Sequence, residues 1–348
     1  MHRSILLISF FLMMYIVTGQ SQRPELSVEQ RFDIPGSSIR AIEVANDSTL
    51  WFAGSEGIYG QIEKGVLSID TLVYENTRPH FRALATNRTE VYALSIENPA
   101  LLFLLKESHE LGKIEANLVY KEEHPNVFYD SMTFFDASDG IAMGDPVDGC
   151  LSILLTSDGG KNWQKIPCSK LPETKKGEAA FAASNTNIAV YGNKVWIATG
   201  GTRSRIWMSE NKGKNWQIFD TPLQEGSSMT GIFSVDFYNE MIGVIMGGNW
   251  EDKKDTFGTK ALSLDGGKTW KLMSEGAVPG YISCVQFIPD SAGKELMAVS
   301  TEGIYYSSDM GSRWIKLSGD GFYSIRFVNA NEAWMSRHEE IVKYNLVR

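Results

Sequence analysis

Four octapeptides in this chain repeat one pattern: TSDGGKNW at 156–163, SENKGKNW at 209–216, SLDGGKTW at 263–270 and SSDMGSRW at 307–314. The closing residues Trp163, Trp216, Trp270 and Trp314 lie 53, 54 and 44 residues apart. A period of that size belongs to units that cannot bury their own apolar faces and must pack on neighbours. Upstream of each copy runs a short β-type segment, a turn, and a second segment ending in Gly or Ser, as in IFSVDF then MIGVIMGG, and SCVQFIP then ELMAVSTEG. The same pair recurs without the tryptophan motif, as in SIRAIEV then TLWFAGSEG, HFRALAT then EVYALS, and YSIRFV then EAWMSRHEE. Two more pairs are FYDSMTFF then GIAMGDP, and AAFAAS then KVWIATGG. This makes seven units with room for four strands each and almost no helical periodicity. The expectation is an all-β, seven-bladed propeller of four-stranded blades over residues 20–348. The last unit stops one strand short, and an orphan strand near 26–34 is expected to complete it and close the ring.

The octapeptide falls where the third strand must reverse into the fourth. There Asp158, Asp265 and Asp309, with Asn211 as a substitute, accept hydrogen bonds from turn amides. Gly160, Gly213, Gly267 and Gly311 supply backbone conformations that other residues adopt at a cost. The tryptophans cover the hairpin. These are structural roles. Trp51, Trp196 and Trp334 share one second-strand position and are expected to pack between blades, which leaves Trp207 and Trp250. Trp250 lies in the longest interruption, GGNWEDKKDTFGTK at 247–260, a candidate contact loop.

The first residues read as an export signal rather than as fold: a basic start, an apolar run from Ile5 to Val17, then small residues near 18–21, with the leader placed at 1–19. The chain is therefore expected to be exported, periplasmic or secreted, with no integral membrane segment once the leader is removed. Lys and Arg number 33 against 42 Asp and Glu, a formal charge of −9. Losing Arg3 with the leader makes it more acidic still, which disfavours nucleic acid and anionic membranes as partners. Three cysteines cannot build a disulfide framework. Cys150 and Cys168 flank a hairpin and either pair or remain as free thiols, the latter being the simpler expectation. Five scattered histidines show no metal or triad spacing, and no GxGxxG segment joins a strand to a helix. No metal or cofactor is expected, and the chain is expected to be a monomer.

The four octapeptides resemble Asp-box, or bacterial neuraminidase, repeats, which occur in sialidases and in non-enzymatic propellers. Beyond them, FYDSMTFF, GIAMGDPVDG, GEAAFAAS, VWIATGG and TPLQEGSSMTGIFSV resemble a group of exported bacterial propellers. That group is similar to the photosystem II stability/assembly factors of plants and cyanobacteria. The resemblance implies a seven-bladed fold and a scaffolding role in the assembly of membrane complexes. Many members of the group carry the label oxidoreductase, for which this sequence offers no residues.

Aligning the seven presumed first strands puts Arg40, Arg82, Asp130, Ala179, Phe233, Ser283 and Tyr323 in one column facing a central funnel. Glu178 is one residue off the column, with Asp145, Asp148 and Tyr281 in neighbouring loops. Two readings follow. As a non-catalytic interaction or assembly scaffold in the cell envelope, Arg40 and Arg82 would hold the carboxylate of a protein partner, with Asp130 compensating their charge. As a sialidase-like glycosidase acting on extracellular glycans, Asp130, Asp145 and Glu178 would supply the acid and base. A sialidase, however, wants an Arg-Ile-Pro segment near the first blade, and this chain has Asp33-Ile34-Pro35. No residue is assigned a catalytic role.

Overall fold

A computed structural model describes residues 24–108 and 113–348, so the expected leader at 1–19 lies outside the described residues. The described chain is all-β apart from one 3-10 turn at Cys168–Lys170. No helix among these residues is long and apolar enough to cross a membrane. Alternating short strands and turns produce antiparallel ladders between sequence neighbours, as in Phe81–Thr86, Val91–Ser95, Ala100–Glu107 and Ile114–Glu122. The molecule is a propeller whose strands form six hydrogen-bonded sheets, four of them four-stranded and two six-stranded.

This corrects the expectation of seven separate four-stranded blades. The last repeat has no sheet of its own, because two strands run on without a break. Glu25–Asn46 pairs its first part with Glu332–Val347, from Glu25 opposite Val347 to Asp33 opposite Glu340. Beyond Gly36 the same strand changes partner and pairs Ile39–Asn46 with Thr49–Gly54. One six-stranded sheet therefore contains the first and last strands of the described residues. The second six-stranded sheet arises where the short strands Glu178–Ala179 and Gly200–Gly201 add to the edge of Thr230–Phe237.

Strands in the middle of each sheet are covered on both faces by neighbouring sheets, and all six residues of Thr49–Gly54 are buried. The outer strand Val66–Thr71 is partly exposed. The core fills the wedges between sheets: Tyr92, Leu94 and Leu102 of one sheet meet Tyr129, Met132 and Trp163 of the next. Cys150 and Cys168 are joined in a disulfide, against the simpler expectation of free thiols, and Cys284 is a buried free thiol.

The octapeptides occupy the turns before the outer strands, and their first residue has a role that the sequence reading overlooked. The hydroxyls of Thr156, Ser209, Ser263 and Ser307 accept the N–H of Gly160, Gly213, Gly267 and Gly311 at 2.8–3.0 Å. Each hydroxyl also donates to the Asp or Asn two residues on. The indole N–H of Trp163, Trp270 and Trp314 donates to the same glycine's carbonyl at 3.0 Å, while that of Trp216 has no partner. Two of the turns are also held by an aromatic donor of the adjacent sheet: Trp196 donates to Gly266 O at 2.8 Å, and the Tyr92 hydroxyl donates to Gly159 O at 2.7 Å.

Candidate functional site

The innermost strand preceding Lys194–Ala198 is Ile188–Tyr191, and the expected AAFAAS segment does not fill that place. The hairpin turn at Gly192-Asn193 was the sequence signal for this pairing. Residues 180–187 are thereby released from the sheet, and they run through the centre of the ring as a plug.

The plug is tied to inner strands all round it. Asn185, in the left-handed region at φ 57°, donates through its amide to Leu84 O at 2.7 Å and accepts Met132 N–H at 2.9 Å. Ser184 donates to Ser283 O at 2.6 Å, and the Thr186 and Ser234 hydroxyls are 2.8 Å apart. Asn187 bonds Ser131. From the far side Arg326, which the funnel column did not include, donates to the carbonyls of Ser184 and Asn185, both at 3.2 Å. A water-filled axial channel is replaced by chain.

On one face the plug forms the floor of a cavity of about 320 Å3. Arg82 Nη1 donates to Ala182 O at 2.7 Å and Arg40 Nη1 to Ala183 O at 3.0 Å. The two arginines thus stand side by side on adjacent plug carbonyls. Arg82 Nε donates to His80 Nε2 at 2.9 Å, whereas Arg40 Nε has no partner. The Arg40 guanidinium lies 4.0 Å above the Tyr323 ring centroid, which places Tyr323 beneath the arginine, off the cavity lining. The same lining holds an aromatic row: Phe181 and Phe233, stacked at 3.9 Å, then Tyr281 edge-on to Phe233 at 4.8 Å and Trp250 edge-on to Tyr281 at 5.3 Å. Phe128, Met229 and Asp145 complete the lining used below. Phe128, Phe181 and Met229 had no place in the sequence-derived column.

The three carboxylates of the glycosidase reading are not presented together. Asp145 alone lines the cavity and accepts Ala180 N–H at 2.7 Å. Burial raises its pKa to about 6, against that hydrogen bond. Asp130 is fully buried, and both its oxygens lack a hydrogen-bond partner. Burial, then the neighbouring Asp145, push its pKa well above the usual carboxylate value, outweighing Arg82. It makes no direct ion pair with either arginine and acts on Arg82 only through space.

Glu178 is locked elsewhere, in a two-point pair with Arg205 and in hydrogen bonds from Trp207 at 3.0 Å, Thr199 at 2.7 Å and Lys175 N–H at 2.8 Å. Burial raises its pKa, but these donors prevail and hold it below the usual value. Trp207, left over in the sequence reading, is thus part of a buried polar knot. Ser283 holds the plug, while Asp148 lies in the Val147–Cys150 hairpin turn, outside the cavity.

The arginines keep their charge. Burial, then Arg40, lowers Arg82 to about 10, and burial lowers Arg40. Burial and both arginines lower His80 to about 4. The cavity lining therefore presents two guanidinium charges and the carboxyl of Asp145, while the acids whose charge reaches Arg82 are Asp130 and Glu97. Among the described residues, no three His, Cys, Asp or Glu side chains stand together as a metal site.

No family model and no curated protein matches this sequence. Solved structures do match in fold. YCF48 bound to D1 peptide aligns with TM-score 0.64 at 13% identity, over 91% of this chain and 96% of that one. YCF48 from Cyanidioschyzon merolae aligns at 0.60 and 14%, over 92% and 98%. The WD40 propeller domain of Doa1 aligns at 0.63 and 8%, over 92% and 97%. At these identities the likeness shows the propeller fold alone.

Proposed function

We propose that this chain is a non-catalytic interaction propeller, exported to the cell envelope or beyond, that holds a carboxylate of a protein partner in the cavity above the plug. The observation that carries this reading is the pair Arg40 and Arg82, seated side by side on adjacent plug carbonyls in the cavity lining. Guanidinium donors in fixed positions suit a carboxylate, and a half-enclosed site strengthens the contact. The likeness to YCF48 supports a peptide as partner, since that propeller was solved with one. The disulfide suits an oxidising compartment.

The test is a titration of the full chain with a peptide ending in a free carboxylate. The double change Arg40→Ala with Arg82→Ala should remove roughly 2–5 kcal/mol of binding. Circular dichroism should show the fold retained. Equal binding by parent and variant rejects this reading.

A further inference from the structure

We infer that the aromatic wall of this cavity is a side-chain subsite, and that the preferred occupant is a C-terminal residue with a large apolar side chain. This rests on the carboxylate reading above. The arginines account for part of the cavity lining only. Much of the remaining lining is apolar and incompletely covered: Phe128, Phe181, Met229 and Trp250 are all partly exposed there. Phe181, Phe233, Tyr281 and Trp250 brace one another ring to ring. The backbone N–H of Trp250 donates to Met229 O at 3.0 Å, which fixes the two loops of the rim together. The wall is therefore built before any ligand arrives.

The geometry selects between ways of delivering a carboxylate. An internal Asp or Glu carries its carboxylate at the tip of its only side chain, and the main chain then has to leave in both directions. Such a residue fills the arginine side and brings nothing to the aromatic wall. A C-terminal residue has its carboxylate and side chain on the same carbon, so one residue meets both sides at once. The plug closes the floor, so the chain has to end there. At about 320 Å3 the cavity is near the lower limit of ordinary ligand pockets, roughly 300–1,000 Å3, which suits one or two residues rather than a long segment.

The experiment is a calorimetric titration of the full chain with four synthetic hexapeptides of sequence Gly-Ser-Gly-Ser-Gly-X, where X is Leu or Gly and the terminus is acid or amide. The Leu acid should bind at least about tenfold tighter than the Gly acid, from burial of the added apolar side chain. It should also bind at least tenfold tighter than the Leu amide. Met229→Ala should reduce the preference for Leu over Gly and keep the preference for acid over amide. If the two acids bind equally while both amides fail, the subsite inference falls and the carboxylate reading stands. If acids and amides bind alike, or no peptide binds, the carboxylate reading fails and takes the inference with it.

Discussion

At Asp265 one carboxylate collects the Ser263 hydroxyl at 2.9 Å, the amides of Lys268 and Thr269 at 3.1 and 2.9 Å, and the Thr269 hydroxyl at 2.6 Å. Burial alone raises its pKa, but these donors more than compensate and leave it lowered. A group whose folded pKa is depressed contributes stability above its unfolded pKa, near 3.9, and loses it as pH falls through the folded value. Asp265→Ala should therefore cost roughly 1–3 kcal/mol at pH 7, and less in acid, measured by denaturant unfolding. Gly267 has φ 87°, and a Cβ there would stand 2.8 Å from Trp196 Nε1. Gly267→Ala should destabilise for two reasons, strain at that φ and collision with the adjacent sheet. The first cause was legible in the octapeptide. The second was not, since nothing in a local motif says which distant aromatic will be set against it.

At the scale of elements, the plug decides what the centre of the molecule can do, and it was the feature least legible in sequence. AAFAAS has the small and apolar composition of an inner strand and precedes a hairpin, so it was aligned as one. The true strand, Ile188–Tyr191, is only four residues long and follows the polar run Ser184 to Asn187. Those polar residues are buried because their partners are backbone groups and hydroxyls of other inner strands, contacts that no periodicity encodes. Asn185→Ala should strand the Leu84 carbonyl and the Met132 amide, each costing roughly 1–3 kcal/mol. It should also place alanine at a left-handed φ. A thermal shift below that of a surface control substitution would contradict the plug's structural role. The closing strand makes a parallel case: Ile34 is fully buried and Glu25–Asp33 is paired along its length. Removing residues 24–36 should lower the melting temperature of the whole propeller, because it takes a middle strand from a six-stranded sheet.

For the whole molecule, strand pairs, turn chemistry and an all-β propeller were readable from repetition alone. The number of sheets was not, because repeats count sequence units while sheets count hydrogen-bond continuity, and two long strands join what the repeat separates. Arg40 and Arg82 were readable as neighbours because they sit at equivalent repeat positions. Glu178 was misplaced because its partners Arg205 and Trp207 stand on the same face of a strand nearly thirty residues away.

The cavity's charge also predicts a pH profile. Its surroundings present Arg40, Arg82, Asp145, Asp130, His80, Tyr281, Tyr323 and, near Arg82, Glu97. Between pH 7 and 5 Asp145, at about 6, takes up a proton, which removes from the cavity lining a negative charge that repels a bound carboxylate. Affinity for a carboxylate should then rise roughly three- to tenfold, until the ligand's own carboxylate and His80 titrate near pH 4. Asp145→Asn should flatten that profile. The sign for folding follows the same shift: a raised carboxylate pKa favours the folded state in acid, and that contribution is lost as pH rises from about 4 through 6. The most direct measurement is a crystal structure of the full chain with a bound peptide ending in a free carboxylate. The account predicts that carboxylate within hydrogen-bond distance, about 3 Å, of the Arg40 and Arg82 guanidiniums above the plug. A peptide seated on an outer sheet edge, with the arginines untouched, would contradict it.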